Sequence, residues 1–122
     1  YAYGVVERNS YGIPLLDRLR NENMYANLHK HRTFDSRGRR KTEIGFITTD
    51  KSKAIVIESL KENYEKGYIL INDRETLNEM LIFVEQNGRM GNKKGLNKHD
   101  DIVISTALAI HGMASGKFYV NI

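Results

Sequence analysis

Two carboxylates stand side by side at Asp100 and Asp101, in the stretch NKHDDIVISTALAI, directly ahead of an apolar run. Ile102, Val103, Ile104, Ala107, Leu108 and Ile110 make that run apolar on several faces, which is the pattern of a buried helix. Acids in the first turn of a helix face the positive end of its dipole, and this favours their ionised form. Ionised oxygens are what hard cations such as Mg²⁺ take as ligands. The plainer reading is helix capping, with Asn97 as N-cap and Asp100 three residues on, a variant of the capping box. Capping accounts readily for one Asp and less readily for the second, which lies close to His99.

Glu7 is a further acid out of place. It follows Val5 and Val6 in what reads as a short strand, GVVER, and strand interiors disfavour Glu. At the C-terminal end of a strand in an α/β sheet it would stand where such folds bind ligands. The alternative is an edge residue facing solvent and paired with Arg8. A third constellation is basic. Lys30, Arg32, Arg37, Arg39, Arg40 and Lys41 crowd HKHR and RGRRK, with Lys51 just beyond. Such a cluster can neutralise several phosphates without reading sequence, or it can simply be a solvated loop.

Other chemistries are excluded. With no cysteine there is neither a disulfide nor a thiolate metal site, and a cytosolic setting fits. GMASGKF has the wrong spacing for a P-loop, so no nucleotide is expected to bind that way. The His residues lack the paired spacing of a zinc site. No apolar run approaches the length of a membrane span, and no signal peptide is visible. The net charge of +4 is compatible with nucleic acid without requiring it.

The elements that must position these residues follow from periodicity. The 122 residues make one domain with a modest core. Residues 4–8 predict a strand with a buried Val pair, and NSYGIPLLDRLRNEN a helix capped by Ser10, with Pro14 early and Leu15, Leu16 and Leu19 as its apolar stripe. Residues 25–34 and 41–48 predict a strand pair around a turn at Ser36 and Gly38. A helix follows from Thr49 or Asp50 to the stop at Gly67, then a buried strand YILI at 68–71. NDRETLNEMLIFVEQNG reads as a helix capped by Asn72 or Asp73 and ended by Gly88. A Gly- and Lys-rich loop with a brief strand at 89–91 leads to the last helix at 99–114, and KFYVNI adds an extended piece. Strands alternating with helices indicate α/β.

Taken together and in this order, VVERNSYG, GFITTDKSK and HDDIVISTALA resemble the nuclease domain of the large subunit of phage DNA-packaging terminases, over roughly residues 1–114. The resemblance implies an RNase H-like fold of the kind shared with junction resolvases, lacking here its first strands. It implies a divalent-metal-dependent endonuclease that cuts concatemeric viral double-stranded DNA with Mg²⁺ or Mn²⁺ in a two-metal arrangement. By this likeness Glu7 matches the family's second acid, and Asp101 with Asp100 its third. Lys53 matches the Lys after TT, and Asn9 and His99 are supporting neighbours. Lys30, Arg32, Arg37, Arg39, Arg40 and Lys41 would hold the DNA. The implied partners are the ATPase domain upstream in the full protein, the portal and the small terminase subunit, in the host cytoplasm at the viral procapsid. The chain opens YAYGVVERN without an initiator Met, and the family's first acid lies upstream of the VVERN strand. The chain is therefore expected to be the C-terminal part of such a domain and to cut poorly by itself. The alternatives are another RNase H-like nuclease, such as a junction resolvase, and a non-enzymatic DNA-binding module.

Overall fold

The computed structural model describes residues 2–86, 89–92 and 100–115. It divides into two compact units, Tyr1–Thr48 with Gly112–Ile122, and Thr49–His111. The described residues form a small mixed α/β structure of helices and two-stranded antiparallel sheets.

In the first unit, GVVER does not form a continuous strand. Parallel bridges tie Gly4 to Leu28 and Glu7 to Phe46, and the expected buried pair, Val5 and Val6, is only half-buried. Helix α1, Gly12–Asp17, starts next and runs on as a π-helical turn, Arg18–Glu22. Ser10 does not cap it. Asn9 does, its Oδ1 accepting from the amides of Tyr11 at 3.1 Å and Gly12 at 2.7 Å. Of the expected stripe Leu16 is buried, Leu19 half-buried and Leu15 exposed. The turn ends at Glu22 with Asn23 as its C-cap, and Met24 beyond it takes a positive φ of 53°.

Strands β1 (Lys30–Phe34) and β2 (Arg40–Ile44) form the expected hairpin, with Lys30 opposite Ile44 and Phe34 opposite Arg40. Asp35, rather than Ser36, organises the tip: its Oδ1 accepts from the amides of Arg37 and Arg39, and Gly38 supplies the left-handed φ of 74°. Gly45 ends the hairpin at φ 95°, where a Cβ would lie 2.6 Å from Leu16 Cδ1. Only glycine lets the strand pass that close.

In the second unit, helix α2 (Asp50–Glu65) begins at the predicted Thr49, which shares a full capping box with Ser52. It ends before Gly67 at φ 72°. YILI is not a strand. Tyr68 is 72% and Leu70 83% exposed, and neither is paired with a neighbouring strand. An apolar run becomes a strand only where another edge takes its backbone groups. Helix α3 (Arg74–Leu81) is capped by Asp73 as expected but is shorter than predicted, because Phe83–Gln86 turns into strand β3 and pairs with β4, Arg89–Asn92. The brief strand near 89–91 is thus present. Helix α4 spans Asp101–Ala114. Val56 and Leu60 of α2 and Val103, Ala107, Leu108 and Ile110 of α4 are the buried apolar residues of this unit. KFYVNI and the expected stop at Gly88 lie outside the described residues. No helix among the described residues is long and apolar enough to cross a membrane.

Candidate functional site

The two aspartates stand where the sequence reading put them, at the mouth of α4. The carbonyl of Asp100 accepts from the amide of Ile104 at 3.0 Å, so Asp100 is the half-in residue and Asp101 the first helical one. Neither carboxylate caps the helix among the described residues. The exposed amide of the first turn is taken instead by Glu79 of α3, whose Oε1 accepts from Ile102 N at 3.3 Å. Asn97, the expected N-cap, and His99 lie outside the described residues.

With the Ile102 amide taken from α3, neither Asp carboxylate is engaged by it. Asp100 is half-buried and its Oδ2 meets the Lys53 ammonium at 3.0 Å. The capping box at Thr49 fixes the first turn of α2, and Lys53 stands on that turn with its carbon stem leading to the same point. Its Nζ also lies 6.0 Å from the centre of the Phe83 ring. Asp101 is exposed and makes no ion pair among the described residues.

Glu79 is the functional neighbour that the sequence reading missed. It is 9% exposed, and burial pushes its carboxyl above the ordinary range. The amide of Ile102 works against that shift, while Asp101, Asp100 and Glu75 add to it by repulsion. Glu79 therefore feels three other carboxylates. The only sequence signal is the i, i+3 spacing of Thr76 and Glu79, both buried on α3, and a Glu on a helix otherwise reads as solvent-facing.

Glu7, in the first unit, is half-buried and its Oε1 accepts from the Thr48 hydroxyl at 2.5 Å. Oε2 has no partner among the described residues. The start of α1 fixes its backbone closely, since a Cβ on Gly12 would fall 1.7 Å from the Glu7 carbonyl oxygen. Arg8 does not pair with Glu7 but with Glu43, at 3.2 Å. Asn9 is occupied by its capping bonds. Among the described residues no three His, Asp or Glu side chains converge as a ready-made metal site.

The basic residues separate by face. Glu43 takes Lys41 at 2.5 Å as well as Arg8, and those two cations hold its carboxyl below the usual range. Arg39 is held at 3.0 Å by Asp35, whose carboxyl is lowered first by the Arg39 backbone amide. Lys30, Arg32, Arg37 and Arg40 are exposed or half-buried and make no ion pair among the described residues. No family model matches the chain, and no curated protein matches it significantly.

Proposed function

We propose that the chain is part of a divalent-metal-dependent DNA endonuclease with an RNase H-like fold, of the terminase-nuclease kind, cutting concatemeric viral double-stranded DNA during packaging. The observation that carries this reading is the freed Asp pair. Two carboxylates stand together at the start of a half-buried helix whose Ile102 amide is taken by Glu79, one of them open to solvent and the other steadied by Lys53. Oxygen donors of this kind suit Mg²⁺ or Mn²⁺. A cation there would polarise the scissile phosphate and acidify a water. In this proposal Asp101 is the principal ligand at the start of α4, and Glu7 is a ligand that the terminase resemblance alone assigns. Asp100 stands beside Asp101, its charge shared with Lys53. The unpaired cations of the hairpin hold the DNA backbone. The ATPase domain, portal and small subunit belong to the same proposal as partners.

A second reading, a DNA-binding module without catalysis, is favoured by the basic hairpin together with the lack of a converged metal cluster among the described residues. One experiment separates the two. Plasmid is incubated with a protein extended upstream of Tyr1, as wild type and as Asp101→Ala, over a Mn²⁺ titration. Calorimetry follows Mn²⁺ binding in parallel. Metal-dependent cutting that vanishes in Asp101→Ala while DNA binding persists supports the nuclease. Binding of DNA with neither cutting nor Mn²⁺ uptake overturns it in favour of the module. Preference for branched over linear duplex would move the assignment to a junction-resolving nuclease.

A further inference from the structure

The β1–β2 hairpin has two unlike faces. One carries Glu43 and Lys41 and is internally neutralised. The other carries Lys30, Arg32 and Phe34 of β1 opposite Ile44, Thr42 and Arg40 of β2. Side chains directly opposite on one face of an antiparallel pair have Cβ atoms about 5 Å apart. Phe34 therefore stands between Arg40 across the ladder and Arg32 along its own strand. It is 73% exposed, so the ring is offered to solvent between the two cations. No acid lies on this face, and the nearby carboxylates Asp35 and Glu43 are already paired with Arg39, Arg8 and Lys41. At its other end the face runs into an open groove of about 350 Å³ shared by Lys30 and Ile44 with Arg20, Met24, Tyr25 and Leu28. Its lining is mixed, and two of the lining residues, Arg20 and Lys30, are cations.

We propose that this face binds single-stranded DNA, with an unstacked base lying on Phe34 and the flanking phosphates on Arg32, Arg40 and Lys30. A ring offered to solvent among unpaired cations suits a strand whose bases are free to stack, and a duplex keeps its bases inside. The choice of DNA rests on the nuclease reading above. The stacking arrangement does not depend on Asp100, Asp101 or any metal.

The test uses the chain in EDTA, so that no cutting contributes. The protein has no tryptophan, and Phe34→Trp places one reporter on the face. Titration with a thymidine 20-mer is expected to quench its emission, with the same midpoint as the anisotropy of a labelled strand. Phe34→Ala is expected to weaken single-strand binding roughly tenfold or more with its salt slope unchanged. Arg32→Ala is expected to lower the slope by about one. Circular dichroism of each variant confirms folding. Equal affinity for a duplex of the same length, an unquenched Trp, an unchanged Phe34→Ala, or binding confined to an RNA strand overturns the proposal. Single-strand binding in EDTA, together with Asp101→Ala cutting as wild type does in the Mn²⁺ plasmid experiment above, upholds it and removes the nuclease reading instead.

Discussion

At the scale of single residues, Glu79 and Lys53 decide how the Asp pair behaves. Burial, with Asp100 and Asp101 nearby, raises the carboxyl of Glu79, so the folded state holds that proton more tightly than the unfolded chain does. The sign follows from linkage. Stability is full below the unfolded value near 4.5 and falls as pH rises through the higher folded value. Glu79→Gln keeps the oxygen that accepts from Ile102 N and removes the charge. Melting followed by circular dichroism should show this variant losing less stability than wild type above that pH, with the two proteins converging in acid. A variant that melts lower at neutral pH would mean that the ionised carboxylate supports the fold. Lys53→Met keeps most of the stem and removes the ammonium from Asp100. The expected loss of stability is about 1 kcal/mol or less by urea denaturation, because both side chains remain partly exposed. Mn²⁺ affinity should change more than stability does, since the variant alters the charge on a proposed ligand.

At the scale of elements, the hairpin and its closing glycine carry the clearest expectations. Gly45→Ala adds a Cβ 2.6 Å from Leu16 and forces an L-residue to φ 95°. The two effects together should cost about 2 kcal/mol or more, read as a lower urea midpoint with an unchanged slope. Gly38 also has a positive φ, but a Cβ there would meet nothing within 4 Å, so Gly38→Ala should cost only the backbone strain. The hairpin cations should also divide by partner. Ala at Lys30, Arg32, Arg37 or Arg40 should each lower the salt slope of DNA binding by up to about one. Ala at Arg39 or Lys41 should lower it less, because their charges are already matched by Asp35 and Glu43. Equal effects at all six positions would show that these ion pairs open when DNA binds.

For the whole molecule, a net charge of +4 is modest, so affinity for DNA should come from the local arrangement of cations rather than from the overall field. The sequence by itself determined those elements whose signals are local. The Thr49 capping box, the Asp73 cap, the hairpin between two alternating runs and the apolar α4 each depend on residues a few positions apart. It misjudged YILI and the full length of α3, because whether an apolar stretch is buried depends on what lies against it. Glu79 meeting Ile102 spans 23 positions and Lys53 meeting Asp100 spans 47. Nothing in local periodicity encodes such meetings. Only the packing of distant segments brings Glu79 to the Ile102 amide and Lys53 to Asp100.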